Sequence, residues 1–212
     1  KSVLSGQEVS RKHKVLSREE VDRKYVRASS AVTALFWREW KIFIRTPIYF
    51  MNGIVGMIVA PVAMLLPIFA NSEIDKQEMF AFIQNPDYVL PVSLVGLAIM
   101  FFTSSMNIVA STSLSREGQM FWISKMIPVH PKEQVAAKLI HGTVIQSIGI
   151  LVTAVVFALL TKISFLRMIV LILLGIIGTV ALVAVNLLVD VLRPKLDWKN
   201  PQEAVKSNMN SL

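Results

Sequence analysis

The side chains able to do chemistry are few, and their spacing argues against catalysis. There is no cysteine, which removes thiol nucleophiles, thiolate metal sites and any disulfide framework. His13, His130 and His141 are scattered without the spacing of a metal site. No Gly-x-x-x-x-Gly-Lys-Ser/Thr run is present to cradle nucleotide phosphates, and neither a His-Glu-x-x-His pair nor a Gly-x-Ser-x-Gly elbow occurs. What remains is a set of uncharged polar residues inside long apolar runs, Asn52, Thr103, Ser104, Asn107, Gln146 and Asn186 among them. Such groups hydrogen-bond between packed helices, or else they line a path for a polar substrate. The same runs contain no carboxylate. That disfavours both a proton-driven transporter and an intramembrane enzyme, and no catalytic residue, metal or cofactor is expected.

The elements that must position these residues follow from composition. Of 212 residues, 54% are hydrophobic and 17% charged, with a mean hydropathy of +0.57, whereas soluble domains carry about 25% charge. Too little polar surface exists to cover a water-soluble globule, so the apolar excess must face lipid. Charges fall in blocks, leaving four uncharged apolar spans at about 48–70, 89–114, 139–161 and 168–189, each at least 22 residues long. A membrane-crossing helix needs about 20. The fold class expected is therefore all-α, a polytopic membrane protein of four transmembrane helices. Pro61 and Pro67 should kink the first span or mark a break in it. The two sides of the membrane differ in charge: 19 of the 22 Lys and Arg residues lie before the first span, in the connector 116–138 or after the fourth span. By the positive-inside rule both termini are cytoplasmic. The net charge of +8 follows from this bias and from attraction to anionic lipid. It does not require nucleic acid.

Outside the spans, residues 1–30 read as a charged cytoplasmic linker, with capping-box spacing at Ser17-Arg18-Glu19-Glu20. The domain from 31 to 212 opens with an amphipathic stretch. On a helical wheel Phe36, Trp40, Phe43 and Ile44 share one face and Arg38, Lys41 and Arg45 the other. This is the pattern of a helix lying in the membrane interface, and Pro47 would let the chain turn into the first span. In the connector 116–138, Gly118 permits a sharp turn, Met120 to Ile127 can form about two helical turns, and Pro128 stops them. Pro131 suits the first position of the next helix, with His130 as its cap. Phe121 and Trp122 on this short helix need either a partner or the lipid interface. After the fourth span, Asn200-Pro201-Gln202-Glu203 carries the signature of a helix beginning at Pro201.

These pieces resemble a known family. The stretch Leu35-Phe36-Trp37-Arg38-Glu39-Trp40-Lys41 followed by Arg45-Thr46-Pro47 resembles the elbow helix of bacterial type-2 ABC exporter permeases. Ser115-Arg116-Glu117-Gly118, Phe121-Trp122-Ile123-Ser124-Lys125 and Pro128-Val129-His130-Pro131 resemble the cytoplasmic connector after the second span there. Arg193-Pro194-Lys195-Leu196-Asp197-Trp198 and Asn200-Pro201-Gln202-Glu203-Ala204 look like the connector after the fourth span in large ABC exporter permeases of Gram-positive bacteria. The resemblance runs from about residue 31 to the end. It implies a permease in the cell membrane, driven by a separate ABC ATPase subunit. Arg116, Glu117, Gly118, Phe121, Trp122, Lys125 and Pro128 would belong to the coupling helix that docks on that subunit. Phe36, Trp37, Arg38, Glu39, Trp40, Lys41 and Arg45 would form the elbow. A type-2 half has six spans, so four spans after a charged linker imply the first part of a second half. The remaining half, or a second copy, would be a further partner. Lys1 in place of Met and the helix start at Pro201 add the expectation that both ends are cuts. The competing reading is a membrane anchor or assembly subunit with no role in translocation.

Overall fold

The computed structural model describes residues 30–70, 75–206 and 208; the helix start expected at Ser17 lies outside the described residues. In chain order these fold into α1 (Ala31–Arg45), α2 (Pro47–Ala70), α3 (Lys76–Gln84), a 3-10 turn (Pro86–Tyr88), α4 (Val89–Ser105) and α5 (Ile108–Ser111). A second 3-10 segment (Ser115–Met120), α6 (Phe121–Met126), α7 (Pro131–Thr161) and α8 (Phe165–Leu192) complete the chain. The described residues are thus helical, without a strand. Three stretches, 86–126, 131–161 and 165–192, are long and apolar enough to cross a membrane. A fourth is added if α1 and the start of α2, which meet at a bend of 92°, count as one span.

That bend falls at Thr46, with Pro47 opening α2, as expected of a residue with fixed φ and no amide hydrogen. The helix continues through Pro61 and Pro67 to Ala70, so neither proline ends it. The second expected span, by contrast, is broken. α4 stops at Ser105, and Asn107 starts the short α5 with its side chain accepting from the Ala110 amide at 3.0 Å. The cause is a cluster of short polar side chains that offer the backbone other partners. The hydroxyls of Thr103 and Ser104 donate to the Met100 carbonyl at 3.0 and 2.7 Å, and Asn186 Nδ2 donates to the Ser104 carbonyl at 3.1 Å. The Thr103 bond stays within α4, while Asn186 and the Ser104–Thr179 hydroxyl pair at 2.8 Å stitch α4 to α8 at the point where the helix gives way.

α7 is the central element and packs against α1, α2, α4 and α8. It begins before its apolar run, at Pro131, where Glu133 accepts from the His130 amide at 3.1 Å. Around the middle of α4 and α8, Met100, Ile150 and Ala154 form a buried apolar cluster. Gly175 allows the close approach there, since a Cβ on it would lie 2.9 Å from Met100 Sδ. Between α2 and the first 3-10 turn, α3 is an additional helix, capped by Asp75, whose side chain accepts from the Gln77 amide at 2.8 Å. The helix expected at Pro201 does not form. Residues 201–206 make successive turns instead, with the Lys206 amide donating to the Gln202 carbonyl at 2.8 Å. Ala204 and Val205 from these turns are buried in a cluster with Phe43, Tyr49 and Met57, a contact that fixes this segment by packing instead of by helical periodicity.

Candidate functional site

The connector after the second apolar stretch is held by a buried ion cluster, assembled from elements far apart in sequence. α1 supplies its first member. Leu35, Glu39 and Phe43 recur at every fourth position, and this face is buried, so the helix presses a carboxylate into the bundle between two apolar side chains. Phe36, Trp40 and Phe43 gather edge-on around the ring of His141 on α7, with centroids 5.6 to 6.1 Å away. The apolar face of α1 is thus partly covered by the protein itself: Phe43 is buried, Phe36 and Trp40 are half-buried, and Ile44 is exposed. Thr33, Ala34, Trp37, Lys41, Ile44 and Arg45 are the exposed positions of α1.

Glu39 is 3% exposed and receives Lys138 Nζ from α7 at 2.8 Å. The same ammonium reaches Glu117 Oε1 at 2.6 Å and donates to the Ser113 carbonyl at 3.1 Å. Arg38 bridges both acids, with Nη2 at 2.9 Å from Glu117 and 3.2 Å from Glu39. Arg116 closes the set, 3.8 Å from Glu39, while its Nη1 donates to the Val109 carbonyl at 2.9 Å. Burial alone would raise the Glu39 pKa, but Lys138, Arg116 and Arg38 outweigh it and hold the carboxyl down at about 2. Each charge is thus stabilised by its neighbours, the condition for leaving ions inside a low-dielectric interior.

Asp190, at the end of α8 and fully buried, locks the other side of the connector. It accepts from the amides of Leu114 and Ser115 and from the Ser115 hydroxyl. The tail after α8 then folds back. Lys195 N donates to Ser115 Oγ at 2.9 Å, and Trp198 Nε1 donates to the Ser115 carbonyl at 2.7 Å. Gly118 has φ +51, and a Cβ there would meet the Trp198 ring at 2.6 Å. Only glycine suits both the left-handed backbone and the contact.

This frame separates the seven connector residues into two sets. Arg116, Glu117 and Gly118 face inward and hold the connector in place. Phe121 is half-buried with Lys125 Nζ 4.8 Å above its ring, and Trp122, Lys125 and Pro128 are exposed on or beside α6. Ser124, on the opposite face of α6, donates to Glu117 and accepts from Arg38 at 3.2 Å. Among the elbow residues, Arg38 and Glu39 join the cluster, Phe36 and Trp40 pack on His141, and Trp37, Lys41 and Arg45 point outward.

Lys138 and Asp190 were not singled out by sequence, and Trp198 entered only as the end of the motif after the fourth span. Glu39 carried a signal, as an acid spaced with Leu35 and Phe43 on an otherwise cationic helix. Among the described residues no cluster of His, Asp or Glu is arranged to hold a metal ion. The ionisable groups here are engaged with one another, so the arrangement is suited to fixing a surface. Compared with protein-family models, curated proteins and solved structures, the chain finds no match.

Proposed function

We propose that this chain is the permease portion of an ABC exporter in the cell membrane, moving substrate with ATP hydrolysed by a separate subunit. In this reading four spans cross the bilayer, both termini and the connector 116–138 are cytoplasmic, and α1 is the elbow that precedes the first span. The chain has no enzymatic role of its own. α6 is the coupling helix, and the remaining permease half or a second copy completes the pathway.

One observation carries the reading. A short helix exposes Trp122 at 59%, Ile123 at 40% and Met126 at 75%, while its other face is fastened to a buried ion cluster through Ser124. A surface that passes force from a motor must be open to the partner and stiff toward its own spans, and α6 has both properties. Its aromatic and aliphatic side chains are of the kind that dominates docking interfaces.

Trp122→Ala tests the proposal. It should weaken ATPase association by about 2 kcal/mol or more, with membrane insertion and yield unchanged, as read by pull-down of the ATPase from detergent at matched expression. Equal recovery by wild type and variant would remove α6 as the docking helix and leave the anchor reading in place.

A further inference from the structure

The break between α4 and α5 borders a cavity of about 140 Å³, lined by Asn52, Gly56, Met57, Thr103, Met106 and Gln146 among others. No ionisable side chain lines it. Gln146 on α7 is 0% exposed, yet neither its amide nitrogen nor its amide oxygen has a hydrogen-bond partner among the described residues. The other polar side chains are already committed. Asn107 caps α5 and donates to the Gly142 carbonyl at 3.4 Å, Asn52 Nδ2 donates to the Ile48 carbonyl at 2.7 Å, and Thr103 Oγ1 donates to the Met100 carbonyl at 3.0 Å. Gly56 and Met106 are exposed, and a Cβ on Gly56 would meet nothing within 4 Å. The cavity therefore has its mouth at Gly56 and Met106, on the side of the bundle.

An unpaired primary amide in an apolar interior forfeits its hydration without replacement, a cost that a well-packed methionine or leucine would not carry at that position. Irregular backbone at membrane depth is tolerated where it is buried in protein or lines a polar cavity. Both facts point to a guest. We propose that this cavity is a binding site for a neutral group that both donates and accepts hydrogen bonds, held by the Gln146 amide. A charged guest is disfavoured because no counter-charge lines the walls. The amide offers one acceptor and a pair of donors, which suits a hydroxyl, a carboxamide or water. Two sources share this chemistry: water, of which the volume accommodates several molecules, and the polar group of a membrane-dissolved amphiphile entering between Gly56 and Met106. The site does not depend on the ATPase reading, and it would stand equally in a membrane anchor.

The experiment uses the full chain purified in mild detergent, as wild type and as Gln146→Met. Hydroxyl-radical footprinting by X-ray radiolysis reads bound water through oxidation of the adjoining Met57, 5% exposed, with Met100, 0% exposed in the apolar cluster, as the internal control. The denaturation midpoint with added 1-monooleoylglycerol, against methyl oleate, reads a neutral hydroxylated amphiphile. Modification of Met57 at least fivefold faster than Met100, lost in Gln146→Met, supports the site with water as its guest. A rise in midpoint with monooleoylglycerol alone, also lost in the variant, supports it with an amphiphile as its guest. Should Gln146→Met fail to fold, the two wild-type readings decide by themselves. Absence of both signals in the wild type overturns the proposal, as does a signal that persists unchanged in Gln146→Met.

Discussion

The connector end of the bundle and its middle are held by different forces. At the connector end, α1, the start of α7, the end of α8 and the 3-10 segment meet through Arg38, Glu39, Arg116, Glu117, Lys138 and Asp190. Around Met100 and Ile150, α4, α7 and α8 meet through aliphatic side chains and glycine. Apolar packing is forgiving of small shifts, since methyl groups have no preferred direction. Ion pairs and capped amides are not, because each partner has one satisfactory position. The difference teaches where the molecule needs a fixed geometry: at the connector, where α6 is presented, and less so along the spans.

Substitutions can break or sharpen this contrast. The largest effect is expected for Lys138→Met, which strands Glu39 and Glu117 without their shared ammonium. Unpairing buried charges costs about 3–5 kcal/mol, read as a fall in unfolding free energy in detergent. A loss under about 1 kcal/mol, the range of exposed ion pairs, would show that the cluster is open to water and would erase the distinction. Gly118→Ala should follow, at about 2 kcal/mol or more. It combines the strain of an alanine at φ +51, ψ −134, about 1–3 kcal/mol, with displacement of the Trp198 ring, and a shift in tryptophan emission should accompany it. In the apolar region, Gly175→Ala should cost only about 1 kcal/mol, at the low end for overpacking, because Met100 can move its flexible end aside. A Gly175→Ala loss larger than that of Gly118→Ala would reverse the ranking of the two regions.

The smallest effect expected is that of pH across the ordinary range. Glu39 has its pKa lowered from 4.5 to about 2. Its contribution is therefore fully present above the unfolded value and is lost as pH falls from about 4.5 toward 2. Between pH 5 and 8 the difference in denaturation midpoint between wild type and Glu39→Gln should stay constant. A difference that already narrows between pH 7 and 5 would mean that Glu39 lacks the cationic neighbours described above.

Local features were legible in the sequence because they depend on neighbours along the chain. The apolar runs, the turn at Pro47, the bend at Gly118 and the stop at Pro128 all follow from residue type within a few positions. The break after Ser105 was hidden inside an uncharged run, since hydropathy does not register that Thr103, Ser104 and Asn107 divert backbone hydrogen bonds. The ion cluster was hidden for a different reason. Glu39 and Lys138 stand 99 residues apart, and charges that pair across such a distance look, in sequence, like ordinary solvated flanks. Asp190 looked like the end of a span and Trp198 like part of a loop. Only the return of the tail onto Ser115 gives either a role.

The break in α4 has a mechanical consequence. A rod interrupted at Met106 and Asn107 does not carry a twist or a push from one end to the other; the torque is dissipated at the joint. α7 is uninterrupted over 31 residues, a length of about 46 Å at 1.5 Å per residue. It holds Lys138 in the ion cluster near one end and Ile150 in the apolar cluster farther along. In the role proposed for α6, a load applied there would find in α7 a continuous strut along the bundle, with α4 and α5 a jointed pair beside it.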